Sequence, residues 1–298
     1  MKNKRYLFLG FICFLVMQSC ASIKEYPVTK KVSQVDLLHG VEVEDPYRWL
    51  EDFTSEEVET WVGLQNNLSK RYLKRNKYKK RIKENLESIW VSESKSIPQI
   101  RGDAIFYFFN DGSWEQSKLM KQDCIDCSPE VTIDPNTFSN DGTVSLSNLS
   151  ISPNGKFIAY SISDGGSDWK TWKVLDVGSS QVLENSIEWT KFSSGSWEAD
   201  SSGFYYQKYP EPKEVALSEI NKSPKLYFHK IGTTQQEDVL IYDQPDKPNW
   251  SWNIEASEDG KYRILYVGEG TDDSNKLYLQ FGKDQSFVPV VAELEASY

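Results

Sequence analysis

Hydrophobic positions along this chain change their period near residue 91. Before it they recur three and four apart: Val58, Trp61, Val62, Leu64, Leu68, Tyr72 and Leu73, then Tyr78, Ile82, Leu86 and Ile89. That spacing puts them on one face of a helix. It predicts two helices with a break near Asn76. Thr54 with Glu57 fits a capping box, and Glu56 and Glu59 suit the positive end of the helix dipole. Upstream, Tyr26 to Val43 has no clean helical period and reads as extended, ending in a turn at Asp45-Pro46.

From about Val91 short apolar runs alternate with turn clusters. Ile105–Phe109 is followed by Asn110-Asp111-Gly112, and Phe157–Ile162, Trp172–Val177 and Gly203–Tyr206 come later. These are strand lengths separated by hairpin-type turns. One unit repeats. Ser152-Pro153-Asn154-Gly155-Lys156-Phe157 is echoed by Ser257-Glu258-Asp259-Gly260-Lys261-Tyr262 and, more loosely, by Ala199-Asp200-Ser201-Ser202-Gly203-Phe204. The glycines are 203 − 155 = 48 and 260 − 203 = 57 residues apart. Four-stranded blades occupy about 40–50 residues each, so the chain is expected to be mainly β, a β-propeller rather than a generic sandwich. With strands beginning near residue 97, roughly four blades fit. Ten Trp, sixteen Tyr and fourteen Phe suit such packing.

Residues 1–20 fit a targeting segment. Lys2, Lys4 and Arg5 precede an apolar stretch, Tyr6 to Met17, too short to span a bilayer comfortably. It ends in Met17-Gln18-Ser19-Cys20, which resembles a bacterial lipobox with Cys20 as the lipidated residue; an ordinary secretory signal is the alternative. Either places the mature chain outside the cytoplasm, and a lipid anchor would hold it at a membrane. The net charge is −10, and −10 − 3 = −13 after Cys20, which disfavours nucleic acid as a partner. The exception is Lys70 to Lys83, with nine Lys or Arg, which reads as the solvated face of a helix. Cys124-Ile125-Asp126-Cys127 lacks further ligands for a metal site and the βαβ setting of a redox motif. A local disulfide or two free thiols remain, and an oxidising compartment favours the disulfide.

One string does not follow from periodicity: Asp45-Pro46-Tyr47-Arg48-Trp49-Leu50-Glu51-Asp52, preceded by His39-Gly40-Val41 and followed by Trp61-Val62 and Gln65-Asn66. It resembles the N-terminal signature of prolyl oligopeptidases, serine peptidases that cut short peptides after proline. The resemblance continues, in the family's order, through Arg101-Gly102, Asn110-Asp111-Gly112, Gln116-Ser117, Asp134-Pro135-Asn136, Asp141-Gly142-Thr143, Gly166-Ser167-Asp168-Trp169 and Gly203-Phe204-Tyr205-Tyr206. It implies an N-terminal arm that packs on an α/β-hydrolase domain, then a seven-bladed propeller that gates access to the catalytic site. On that map residues 1–20 are the signal, 21–90 the extended and helical arm, and 91–298 about the first half of the propeller, with the hydrolase domain absent.

Acyl transfer by a serine enzyme needs a nucleophile on a sharp turn, a His base and an acid that orients the base. No Gly-x-Ser-x-Gly occurs, and Gly165-Gly166-Ser167-Asp168-Trp169 lacks the closing glycine. His39 is expected to shape a turn and His229 to sit on a strand surface. The family's triad lies C-terminal to this stretch, so no catalytic residue, metal or cofactor is expected here. In the family a propeller Phe helps line the substrate pocket, and Trp189-Thr190-Lys191-Phe192-Ser193 resembles that segment. Phe192 is therefore either a lining residue or part of blade packing. The resemblance gives short proline-containing peptides and the hydrolase domain as partners. The rival reading is a lipid-anchored propeller that binds without catalysing.

Overall fold

A computed structural model describes residues 26–183, 185–214, 221–283 and 285–298. The leader and Cys20 lie outside the described residues. The chain divides after Ile89 into two units.

In the first unit, strands β1 (Val35–Leu38) and β2 (Val41–Glu44) form an antiparallel hairpin. His39 and Gly40 make its turn, both at positive φ (52° and 81°), as the tightest hairpin turns require. The Asp45–Asp52 string is a tether. Arg48 pairs with Asp36 and donates to Asp45 Oδ2 at 2.6 Å, tying the 3₁₀ turn Arg48–Glu51 to the hairpin. Trp49 Nε1 donates to Lys30 O and Trp61 Nε1 to Thr29 Oγ1, both at 3.0 Å, and the two rings meet edge to face. Helix α1 (Glu56–Lys74) begins one residue later than the capping box predicts. Ser55 is the cap and accepts from Val58 N at 3.3 Å, while Thr54 Oγ1 donates to Asp52 Oδ1 at 2.9 Å. The side chain of Asp52 draws Thr54 into its own turn, leaving Ser55 to meet the first free amide. Helix α2 (Lys79–Trp90) follows. Their apolar stripe is real but uncovered, with Tyr72, Ile82, Leu86 and Ile89 at least 49% exposed.

The second unit is a run of antiparallel meanders. The first contains β3 (Ser94–Lys95), β4 (Gln99–Arg101), β5 (Ala104–Asn110), β6 (Lys118–Gln122) and β7 (Glu130–Ile133). The second contains β8 (Val144–Ile151), β9 (Phe157–Asp164), β10 (Lys170–Asp176) and β11 (Gln181–Val182). The third contains β13 (Ser196–Trp197), β14 (Gly203–Lys208), β15 (Lys225–Lys230) and β16 (Val239–Tyr242). The fourth contains β17 (Trp250–Ala256), β18 (Tyr262–Glu269), β19 (Asn275–Phe281) and β20 (Val288–Val291). Strand β12 (Ile187–Thr190) joins the second to the third, meeting β14 through the single pair Thr190–Lys208.

The core lies in the seams between meanders, because strand side chains alternate between two faces. On β9, Ile158 and Tyr160 join Phe106 and Leu119 of the first meander, while Ala159 faces the next seam. On β14, Phe204 and Tyr206 pack with Trp172 and Ile187, while Tyr205 points to Leu226, Trp252 and Leu265. Sheets buried on both faces by their neighbours are propeller blades. The far face of the fourth blade is partly open, with Tyr262 and Phe281 at 40% and 45% exposure.

The repeated turns sit at one end of this stack. Ser152 N donates to Phe157 O and Gly155 N to Ser152 O, and Ser257, Gly260 and Tyr262 repeat both bonds. In the third blade Glu198, Ser201 and Gly203 make them, so the register read from sequence shifts by two residues. The left-handed position is Ser201 (φ 61°), not Gly203, which is already in β14. Serine tolerates that conformation at a cost, so the glycine cue misleads. Neighbouring turns interlock: Gly102 N donates to Pro153 O at 3.0 Å. A Cβ on Gly155 would meet Arg101 O at 2.4 Å, so this contact admits only glycine.

Candidate functional site

The end of β12 and the residues after it carry unusual backbone. Trp189 and Phe192 both have positive φ (60° and 52°), which bulky side chains rarely adopt and which costs about 1–3 kcal/mol each. Surrounding hydrogen bonds impose it. Tyr209 N donates to Trp189 O at 2.9 Å, Thr190 Oγ1 to Lys170 O at 2.8 Å, and Asn148 Nδ2 to Ser193 O at 2.9 Å. Gln207 N donates to Ser193 Oγ at 2.9 Å.

The strained segment turns two side chains opposite ways. Lys191 goes inward and is only 2% exposed. Its ammonium lies 3.9 Å from the Trp169 ring and 4.7 Å from the Tyr209 ring, and donates to Asn221 Oδ1. Burial lowers its pKa, and the charge of Asp168 opposes the shift. Burial also pushes the Tyr209 phenol up to about 12. Phe192 goes outward, 64% exposed, touching Tyr209 edge to face at 6.4 Å.

Phe192 and Tyr209 form one wall of a groove of about 440 Å³ between the third and fourth blades. Trp250, Trp252 and Tyr266 supply the rest of its aromatic lining, and Asn221, Asn249 and Asn253 its amides. The walls are fixed by buried polar contacts. Trp252 N donates to Gln207 Oε1 at 2.6 Å and its indole to Pro224 O at 2.8 Å. An aromatic groove with a few amides suits an extended, weakly charged chain segment.

The family model for the prolyl oligopeptidase N-terminal beta-propeller domain matches residues 26–298. The chain belongs to the prolyl oligopeptidase family. It is 37% identical over 282 residues to a prolyl endopeptidase of Elizabethkingia miricola, covering 94% of this chain and 39% of the relative. A prolyl endopeptidase of Elizabethkingia meningoseptica is 36% identical, with 93% and 39% covered. Among solved structures, one from a study of two prolyl endopeptidases and their inter-domain dynamics superposes with a TM-score of 0.83 at 30% identity, covering 91% of this chain and 40% of that one. Prolyl oligopeptidase B from Galerina marginata, bound to a 25mer macrocyclization substrate, gives 0.80 at 30% identity, with 92% and 42% covered. The chain thus spans about 39% of the length of the curated relatives it matches.

The family's triad chemistry has no counterpart among the described residues. Gly165 and Gly166 form the β9–β10 hairpin turn, and Ser167 Oγ accepts from Trp169 N at 3.1 Å. His39 shapes the β1–β2 turn. His229 is not on a strand surface. It is 3% exposed, with Nδ1 2.7 Å from Asp238 Oδ1, and Tyr206 donates to the other carboxylate oxygen at 2.6 Å. A short turn, Gln235–Glu237, brings Asp238 over a position that the strand pattern alone would leave to solvent. Neither histidine bonds a serine among the described residues. Cys124 and Cys127 form a disulfide between β6 and β7, and no group of described residues is arranged to hold a metal.

Sequence reasoning singled out Phe192 as lining or packing, and the structure places it on the groove wall; it did not reach the Lys191 cage or the buried ion pair of Glu198 with Arg263, 2.8 Å apart. The only available signal was a basic residue placed among aromatic or core-facing positions, as in Trp189-Thr190-Lys191-Phe192 and Tyr262-Arg263-Ile264-Leu265.

Proposed function

We propose that this chain supplies the docking arm and gating propeller of a prolyl oligopeptidase-type serine endopeptidase that hydrolyses short peptides after proline. The observation that carries the reading is the superposition with a prolyl endopeptidase at a TM-score of 0.83 over 91% of the chain. In this reading the uncovered apolar stripe of α1 and α2 packs on the hydrolase domain. The propeller restricts entry to short, unfolded peptides, and the Phe192 groove contacts their apolar residues. Residues 1–20 direct export, Cys20 carries the lipid, and the protein works at a membrane surface outside the cytoplasm. The uncovered stripe disfavours a free-standing binding module, which would leave it exposed to water.

The chain by itself is inactive in this reading, because no serine nucleophile and base come together among the described residues. The purified chain, incubated with a fluorogenic peptide cleaved after proline, is expected to release no fluorophore. Release abolished by a serine-directed inhibitor would overturn the proposal.

A further inference from the structure

The first unit carries a second surface feature that the peptidase reading does not use. From Thr60 to Lys83 there is no acidic residue, and nine basic ones fall between residues 70 and 83, in a chain of net charge −10. Lys70, Arg71, Lys74 and Arg75 cover the last turn of α1 and its cap. Lys79, Lys80, Arg81 and Lys83 open α2. All are exposed. Among the described residues, Lys80 and Lys83 alone of this cluster have carboxylate partners, Glu84 at 3.6 Å and Glu87 at 3.4 Å.

Helix electrostatics accounts for part of this cluster and not the rest. Basic groups at the C-terminal end of α1 oppose its negative pole and are stabilising. Three at the start of α2 meet a positive pole, with no acid in that turn, and are destabilising. They also repel their neighbours across the short break at Asn76. Glu84 and Glu87 relieve Lys80 and Lys83, and the seven basic groups left without a carboxylate among the described residues are suited to an external anion.

The same surface also presents rings. Tyr72 is 55% exposed and Tyr78 48%. Lys77 Nζ and the Arg81 guanidinium lie 5.1 and 5.4 Å from the Tyr78 ring. The peptidase reading assigns Tyr72, Leu73, Tyr78 and Ile82 to the hydrolase contact, so the basic groups beside them are what is left to meet an external phosphate surface.

We infer that the α1–α2 junction docks on an anionic phospholipid surface. The assignment is to lipid phosphates rather than to nucleic acid, because a polynucleotide lying along the chain would meet its overall negative charge. Ions screen charges beyond about 8 Å, so the junction's own charge governs its contact with a planar surface. A lipid on Cys20 would tether the chain there, and the basic junction would then set its orientation.

The test is co-sedimentation of the full chain with vesicles of phosphatidylcholine alone or with one-third phosphatidylglycerol. Lys2, Lys4 and Arg5 of the leader also favour the anionic vesicles, so the junction is reported by the difference between the wild-type chain and its junction variant. We expect at least about tenfold stronger partitioning to the anionic vesicles at low salt, lost at about 0.5 M salt. The triple variant Lys74→Gln, Arg75→Gln, Lys79→Gln should lose at least about tenfold of that preference. The control Lys156→Gln, Lys230→Gln, Lys247→Gln should keep it, and circular dichroism should show both folded. Equal binding to the two vesicle types, or equal loss in both variants, would overturn the inference. So would binding to a single-stranded oligonucleotide in preference to the anionic vesicles.

Discussion

Replacing Glu198 by Ala should destabilise the propeller more than any surface change. Its carboxylate and the Arg263 guanidinium are 2% and 1% exposed and bridge the seam between the third and fourth blades. Arg263 donates through Nε at 2.9 Å and Nη2 at 2.8 Å, and Tyr205 donates its hydroxyl to Glu198 Oε2 at 2.6 Å. Removing the carboxylate strands a buried cation whose Nη1 already lacks a partner among the described residues. Breaking one side of a buried pair costs about 3–5 kcal/mol. Arg263→Met should fall toward the lower end, because Lys283 lies 4.0 Å from Glu198 and can move closer. The double variant Glu198→Leu, Arg263→Met leaves neither charge buried. Its cost should be below about 2 kcal/mol, mostly the lost Tyr205 hydrogen bond. Urea unfolding followed by tryptophan fluorescence reads all three. Either single variant should lower the midpoint by about 1 M or more. Single costs below about 1 kcal/mol, or costs that simply add in the double variant, would refute the view that this pair holds the seam.

Phe204→Ala, at a fully buried ring packed with Trp172 and Ile187, should cost about 3–5 kcal/mol in the same assay. Phe192→Gly should instead gain about 1 kcal/mol by relieving a left-handed φ, while weakening peptide binding to the groove by calorimetry; a loss of stability would contradict the strain. Burial raises the Asp200 carboxyl, but hydrogen bonds from Ser202 and the Lys283 ammonium outweigh it and bring the group down to about 2. That contribution to stability is complete above about pH 4 and is lost as pH falls toward 2. Lys283→Met should raise the Asp200 pKa in a carbon-13 titration and make the acid-side fall in melting temperature shallower; no change in either would refute the link. The Cys124–Cys127 disulfide closes so short a loop that its loss should cost at most about 2 kcal/mol, read as the change in melting temperature of the double serine variant.

Local features of this fold were legible because they repeat at the period of the backbone. The α1 and α2 stripe, the aromatic strands and the Asn/Asp-Gly turns each declare themselves within about ten residues. What was not legible depends on partners far away in the chain. His229 looked like one more alternating strand position until a separate turn placed Asp238 against it. Nothing within the Trp189–Ser193 segment shows that Lys191 is buried, because Trp169 and Tyr209 close over it from either side of the sequence. Ser201 shifted the register read for the third repeat, because it holds a glycine-type φ without being glycine. Phe192 was singled out through resemblance alone; its exposure and strain are properties of the folded segment.

The central claim, that this chain is the non-catalytic arm and propeller of a prolyl endopeptidase, is tested most directly by exchange. Residues 26–298 would replace the matching segment of the Elizabethkingia miricola prolyl endopeptidase, to which the chain is 37% identical. The account predicts that the chimaera cleaves a fluorogenic proline peptide with sensitivity to a serine-directed inhibitor, and that the chain alone does not. A folded chimaera without activity, or inhibitor-sensitive cleavage by the chain alone, would contradict it.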